Sequence, residues 1–328
     1  GSVTGSVKPS CPCLPLADAI RTAIELRSDS GITALSGGVD SALVAAIAKR
    51  PCLVVGMEGC HDIRQATAVA QVLDLPLHVR TITPEDVAAA LPVVISLIDD
   101  PNPVDVAIGT TLFFVAETAQ SLGYERILTG QGADEVFGGY SRYLETPEHL
   151  LEEVFARDFA SLPRQGCRDQ SIAGSMGAYL SMPYLDIRVV CAAQAIPPRD
   201  RVTGGVRKKP LREVARLYLP ESFAYYDKKA MQYGTGIWKE IKRIARHVKL
   251  RRNFQVEIQC HIIPDRHFLF MRRRAASGII IKQRRRLRNH HIVIQFHMPQ
   301  RRNPIPMRCF MMNHQHKRFV FIAPVLQP

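Results

Sequence analysis

No two of the eight cysteines stand as Cys-x-x-Cys, and the one close pair, Cys11-Pro12-Cys13, lacks the spacing of a zinc ribbon. Eight thiols scattered over 328 residues do not make the disulfide framework of a small secreted domain either, so reduced cysteines are expected. Long apolar runs are missing too. The longest, Val87 to Ile98, covers 12 residues and contains Pro92, well short of the ~20 that a membrane helix needs. No basic-then-apolar leader precedes the body, and the chain opens Gly-Ser-Val rather than Met, as a processed protein or an incomplete reading frame would. These absences predict a soluble, cytoplasmic protein with no membrane partner. At 46% hydrophobic, 22% charged and 7% aromatic, the chain can bury a sizeable core, which excludes disorder throughout.

Acids are nearly lacking in one stretch. Residues 249–328 hold 17 Lys and Arg against Glu257 and Asp265, whereas the first 248 residues hold 26 against 28 acids. The net charge of +13 therefore belongs to the last 80 residues, and a whole-chain argument for a polyanionic partner fails. Glycine also falls to one residue there, Gly278, against 20 before it.

What is present first is an alternation of short apolar, β-branched runs with amphipathic stretches. Ile32–Leu35 precedes Ser41–Lys49, Cys52–Gly56 precedes Asp62–Leu73, Leu77–Ile82 precedes Pro84–Ile98, and Arg126–Thr129 precedes a stretch from Asp134 onward. That order predicts an α/β fold with a parallel sheet sandwiched by helices, and ligands beyond the carboxyl ends of its strands. From 146 to 248 strand signals disappear, predicting a mostly helical part with helices over Asp186–Ala195 and Lys209–Tyr218. The expected organisation is an N-terminal segment 1–14, an α/β core 15–145, a helical part 146–248 and a basic tail 249–328.

The sharpest motif is Leu35-Ser36-Gly37-Gly38-Val39-Asp40-Ser41, between a predicted strand and a predicted helix. Adjacent glycines let the backbone approach an anion, and the helix N-terminus aims N–H groups at it. Ser36 and Ser41 add hydroxyl donors. With neither GxxxxGK[ST] nor GxGxxG, no dinucleotide is implied. Asp40 in such a nest would repel phosphate unless a cation lay between, which argues for Mg²⁺. A second Gly-rich string runs Leu128-Thr-Gly130-Gln131-Gly-Ala-Asp134-Glu135-Val-Phe-Gly-Gly-Tyr140.

Ser36–Ser41 resembles the pyrophosphate loop of the ATP-pyrophosphatase superfamily, with its adenine nucleotide alpha hydrolase-like fold. The second string is similar to the signature of the asparagine synthetase C-terminal domain, usually SGEGADELFGGY. Further stretches fit that family in order: Val55-Gly-Met57-Glu-Gly59 with Asp62, Arg168-Asp169, Met182-Pro-Tyr-Leu-Asp186, Lys208-Lys209-Pro-Leu-Arg212 and Asp227-Lys228-Lys229-Ala-Met-Gln-Tyr-Gly-Thr-Gly236. The resemblance covers about residues 15–247.

It implies a ligase that adenylates a carboxylate, aspartate first, with release of pyrophosphate, and then forms an amide with ammonia or an amine, releasing AMP. By the same resemblance ATP would lie against Leu35, Ser36, Gly37, Gly38, Asp40, Ser41, Met57 and Gly130, with Mg²⁺ on Asp40 and Asp134. Catalytic roles would fall to Lys229, Asp134, Glu135 and Gln131; Lys228 competes with Lys229 for its role. Arg168 either orients the helical part or substrate, or is a structural ion pair.

Three departures qualify this. Only ~30 residues precede the first loop, so the nitrogen would come from free ammonia, another amine or a separate glutaminase subunit. Gln131 stands where the family usually has Glu, and an amide takes no proton. Asp105-Val-Ala-Ile-Gly-Thr-Thr111 lacks the Arg and Ser of the family's TIRAS-like stretch, which weakens aspartate as substrate and admits a cyclase like β-lactam synthetase. The basic tail reads in three ways: a shifted reading frame, a genuine nucleic-acid-binding extension, or a folded domain. It carries no RNP, KH or zinc-finger pattern, and nucleic acid is a partner only if the tail is genuine.

Overall fold

Short β-branched runs joined by amphipathic helices build a five-stranded parallel sheet. The structure, a computed structural model, describes residues 14–226 and 231–252 together with the strand segments 257–263, 268–274, 280–286, 291–297, 309–313 and 318–322. Two compact units divide the chain, Gly1–Arg243 and Ile244–Pro328.

In the first unit, helix α1 (Leu16–Glu25) precedes β1 (Ile32–Ala34) and α2 (Val39–Ala48), then β2 (Cys52–Met57) and α3 (His61–Val72), then β3 (Leu77–Ile82) and α4 (Pro84–Leu97). Helix α5 (Pro103–Ser121) leads to β4 (Arg126–Leu128), and the short helices α6 (Ala133–Phe137) and α7 (Arg142–Glu145) follow. These strands lie in the order β3-β2-β1-β4, with Thr33 opposite Cys52 and Ile32 opposite Ile127. The first strand thus lies centrally, and the loops leaving β1 and its neighbour β4 emerge side by side at one edge of the sheet. Local chemistry sets several helix starts. Thr83 and Asp86 form a capping box on α4, and the Asn102 side chain accepts from two N–H groups of α5. Helix α2 is buried over nearly its whole length, which its Ala-rich sequence permits against the sheet and α1.

The part expected to be mostly helical, in which no strand signal stood out, contributes a strand. After α8 (Glu148–Ala160) and α9 (Leu162–Ser175), β5 (Tyr179–Ser181) pairs parallel to β4, Ile127 opposite Leu180. Three residues at a sheet edge are too short to show any period, so sequence pattern alone missed them. Helices α10 (Ile187–Gln194), α11 (Pro198–Arg201), α12 (Lys209–Ala215), α13 (Glu221–Ala224), α14 (Met231–Gly234) and α15 (Ile237–Arg252) complete the helical series. The core joins α1, α2 and α3 to Tyr184, α10 and α12, so the later helices close over the same sheet. No helix among the described residues is long and apolar enough to cross a membrane.

The second unit differs from the sequence pattern, which showed no strand period. It carries β6 (Glu257–Ile263), β7 (Phe268–Arg274), β8 (Ile280–Arg286), β9 (His291–His297), β10 (Cys309–Asn313) and β11 (Arg318–Ile322), paired antiparallel in sequence order. The strands coincide with local clusters of β-branched and aromatic residues such as Ile292-Val-Ile294 and Phe319-Val-Phe321, which favour extended backbone without alternation.

Candidate active site

The chain leaves β1 through Leu35-Ser36-Gly37-Gly38 and enters α2 at Val39, while the chain leaving β4 passes Thr129-Gly130-Gln131 into α6. These two loops touch. A Cβ on Gly130 would stand 2.8 Å from Asp40 Cβ and 2.9 Å from the Ser41 nitrogen, so only glycine allows the approach. Between them and α5, β2 and the 207–212 segment opens a cavity of about 330 Å³. Leu35, Ser36, Gly38, Asp40, Ser41, Gly130, Gln131 and Asp134 line it, and Leu53, Val54, Val55, Leu112 and Val115 give it an apolar wall.

Hydroxyls shape the first loop. Ser41 Oγ accepts from the Ser36 nitrogen at 3.1 Å and lies 3.0 Å from Ser36 Oγ. The buried Tyr184 hydroxyl donates to the Asp40 carbonyl at 2.8 Å, fixing the first turn of α2 from below. Burial pushes the Tyr184 phenol well up, with Asp40 adding to it, so this donor keeps its proton. Tyr184 belongs to the Met182–Asp186 stretch, whose contribution is thereby structural support of the loop.

Asp40 and Asp134, from the first turns of α2 and α6, share a cation. Lys208 Nζ lies 2.7 Å from Asp40 Oδ2 and 2.7 Å from Asp134 Oδ1. Burial alone would lower the lysine pKa, but the Asp134 and Asp40 carboxylates outweigh it and hold the ammonium above its ordinary value. Lys208 is buried and adopts φ 54°, a left-handed backbone that costs a non-glycine residue roughly 1–2 kcal/mol. Gly139 makes room: a Cβ there would lie 1.7 Å from Asp134 Oδ1 and 2.2 Å from Lys208 Cε. Arg207 donates to the Gly139 carbonyl at 2.9 Å. Arg212 donates to the carbonyls of Arg207 at 2.7 Å, Ala224 at 3.0 Å and Tyr226 at 3.1 Å, tying this segment to the cavity rim.

Gln131 heads a buried polar chain. Its amide nitrogen donates to Asp169 Oδ2 at 2.5 Å and its carbonyl oxygen accepts from Thr129 Oγ1 at 3.3 Å. Arg168 donates to Asp169 at 2.7 Å and also pairs with Asp105, which in turn meets Arg164 at 3.0 Å. Burial pushes the Asp169 carboxyl up, and the Arg168 guanidinium pulls it only part of the way back. Arg168 is thus held in a structural ion-pair cluster with α5, and neither it nor Asp169 reaches the cavity wall.

Three expected site residues stand elsewhere. Glu135 is buried behind the wall, where its Oε1 accepts from the Tyr140 hydroxyl and from Gln165 at 3.0 Å. The one-residue offset from Asp134 on a helix turns its side chain away from the cavity that Asp134 lines. Met57 does not line the cavity, and its N–H donates to the Thr235 carbonyl at 2.9 Å; β2 contributes Leu53, Val54 and Val55 to the wall instead. Gly37 stands behind the loop, against Gln65 and Ala66 of α3. Lys229 and Lys228 lie outside the described residues.

In the sequence Lys208 stands out only as part of the Lys208–Arg212 motif. The signal available was Pro210, which marks a helix start and so places the preceding residues at a loop facing the sheet edge. No local sequence signal marks the His61–Tyr226 pair, where Nε2 and the hydroxyl lie 2.5 Å apart with the rings stacked at 5.9 Å; Tyr226 and the neighbouring Asp62 line the cavity.

No group of three or more His, Cys, Asp or Glu gathers among the described residues. The Asp40 and Asp134 carboxylates are the acidic oxygens that meet at the cavity. Few protein ligands, all oxygen, fit Mg²⁺, which keeps waters and shares its shell with phosphates.

The asparagine synthase family profile matches residues 16–171 and 147–260. A Methanocaldococcus jannaschii protein assigned as a glutamine-hydrolysing asparagine synthetase is 33% identical over 252 residues, 64% of this chain and 47% of that one. Asparagine synthetase B of Escherichia coli is 29% identical over 225 residues, 62% of this chain and 41% of its own. The chain therefore spans less than half the length of these relatives. Among solved structures, NMN synthetase from Francisella tularensis overlaps 77% of this chain and 99% of its own at 14% identity, a weak likeness with a TM-score of 0.30. The family match runs through both Gly-rich loops that form the cavity, and the chain belongs to the asparagine synthase family.

Proposed function

We propose that this chain is an ATP-dependent amide-forming ligase that adenylates a carboxylate, aspartate foremost, and then transfers the acyl group to ammonia or another amine. The observation that carries the reading is the meeting of Asp40, Asp134 and the α2 N-terminus at one end of a cavity with an apolar wall at Val54 and Val55. A nucleotide base suits the apolar wall, and a polyphosphate suits the serine hydroxyls and Lys208 beside the helix start.

Adenylation joins the carboxylate oxygen to the α-phosphorus and expels pyrophosphate; the amine then attacks the acyl carbon and AMP leaves. The protein's part is mainly to hold two anions together and neutralise the charge that develops, to which Lys208 and, by family resemblance, Lys229 contribute. Asp40 and Asp134 would hold Mg²⁺, which when bound supplies charge neutralisation on the departing pyrophosphate. Gln131 orients but takes no proton, so the ammonium proton leaves to another acceptor. The amine arrives as free ammonia, as another amine, or from a separate glutaminase subunit.

A second reading, adenylation of a carboxylate other than aspartate, is favoured by Arg168, which pairs with Asp105 and Asp169 and does not line the cavity. Exchange of labelled pyrophosphate into ATP, measured with Mg²⁺ and a panel of carboxylates, separates the two. Exchange with aspartate that Asp40→Ala abolishes supports the ligase; exchange with other acids alone supports the second reading. No exchange with any acid, or exchange untouched by Asp40→Ala, ends both.

A further inference from the structure

We propose that Lys208 is a built-in counter-ion that closes the Asp40–Asp134 pair to free divalent cations, so that metal enters this site only as a chelate of nucleotide phosphates. The proposal rests on the nucleotide-binding reading of the cavity.

The carboxylates of Asp40 and Asp134 come from the first turns of α2 and α6, which follow two neighbouring strands, and meet one ammonium, each at 2.7 Å. Two carboxylates so near one point repel each other unless a cation joins them. Lys208 is such a cation, and its position is built rather than sampled. The residue is buried, its backbone is left-handed at φ 54°, and its Cε runs where a Cβ on Gly139 would stand 2.2 Å away. Arg212, three carbonyls in hand, pins the loop on which Lys208 sits. A sparsely populated backbone held by its surroundings at a charged cluster is the pattern expected where position serves function.

A bare Mg²⁺ or Mn²⁺ approaching the pair must either displace this ammonium or stand in contact with it, adding like charge in a partly desolvated place. A divalent ion that arrives with phosphate oxygens brings compensating negative charge. Those oxygens also give the lysine new partners when the carboxylates turn to the metal. The same ammonium that excludes the free ion thereby becomes a phosphate ligand for the chelate.

The test is Mn²⁺ titration of the full chain followed by loss of the free-ion EPR signal, with metal alone and with α,β-methylene-ATP. Without nucleotide, Lys208→Met is expected to bind Mn²⁺ at least about tenfold more tightly than wild type, because removing the ammonium leaves two carboxylates with that cation gone. With the nucleotide analogue, wild type is expected to bind Mn²⁺. Equal nucleotide-free affinity in the two proteins overturns the proposal. Should Lys208→Met fail to fold, Lys208→Gln replaces it, and tight stoichiometric Mn²⁺ binding by nucleotide-free wild type overturns the proposal by itself. Loss of the nucleotide arm with the metal-alone difference intact ends the nucleotide reading of the cavity and supports Lys208 as counter-ion.

Discussion

The Gln131 amide donates to Asp169 at 2.5 Å, at the position where the family string usually carries Glu. The exchange is therefore not an isolated loss of a base, because the residue that receives the amide is itself a carboxylate raised by burial. Restoring the acid should set two carboxylates against each other. Gln131→Glu is expected to cost about 1–3 kcal/mol, the penalty of an unpaired buried charge, and to gain no amide-forming activity. Adding Asp169→Asn should return most of that stability. Urea unfolding of the two single variants and the double variant measures the coupling. A Gln131→Glu protein as stable as wild type would show that the pair does not constrain this position.

Gly139 offers a sterically defined test of the site. Its Cβ would meet both Asp134 Oδ1 and Lys208 Cε, so Gly139→Ala must displace one member of the ion triad. Overpacking of this kind costs roughly 1–3 kcal/mol, and pyrophosphate exchange should fall far more than stability does, since folding tolerates a shift that the site does not. Gly174→Ala, where nothing lies within 4 Å of the added carbon, is the matched control and should leave exchange unchanged.

Much of this arrangement was legible in the sequence, for identifiable reasons. The run Leu77–Ile82 is a strand with those bounds, and the helix expected from Asp62 to Leu73 runs from His61 to Val72, because period and flanking breakers agreed. The loops bearing Asp40 and Asp134 were marked by glycines that the close approach at Gly130 demands. What stayed hidden came from packing between distant segments. No local pattern tells that Glu135 turns to Tyr140, that the Met57 N–H meets Thr235, or that Lys208 reaches across 168 positions of sequence to Asp40. The edge strand Tyr179–Ser181 was hidden by its length, since three residues define no period.

The His61–Tyr226 contact ties the start of α3 to the rim of the cavity over 165 positions. Tyr226→Phe keeps the stacked ring and removes the hydroxyl alone. The expected cost is about 0.5–1.5 kcal/mol, the net worth of one hydrogen bond. His61→Ala should add little to Tyr226→Phe beyond its own lost packing, because both variants break the same bond. Guanidinium unfolding of the singles and the double decides this; strictly additive costs would mean that the contact stabilises nothing.

Asp186 supplies a pH-dependent test away from the site. It caps α10 by accepting from the Arg188 nitrogen at 3.0 Å and pairs with Arg27 at 2.9 Å, so it joins α10 to the end of α1. Burial pushes its carboxyl up, but the Arg188 N–H and the Arg27 guanidinium overcome that and hold it below the ordinary value of 3.8. A depressed folded pKa means the contribution is present above about 3.8 and is lost as pH falls through the lower folded value. Asp186→Ala should cost about 1–2 kcal/mol at pH 7, the worth of a helix cap and a partly shielded pair. Asp186→Asn retains capping oxygen without charge, so it should lose only the smaller ionic share, about 0.2–1 kcal/mol. Urea midpoints measured from pH 7 down to pH 2 should show the Asn variant approaching wild type as the pH falls below 3.8, while the Ala variant stays below both. Convergence of all three would assign the whole effect to charge and none to the cap, and a gap between Asn and wild type that is constant with pH would assign none of it to charge.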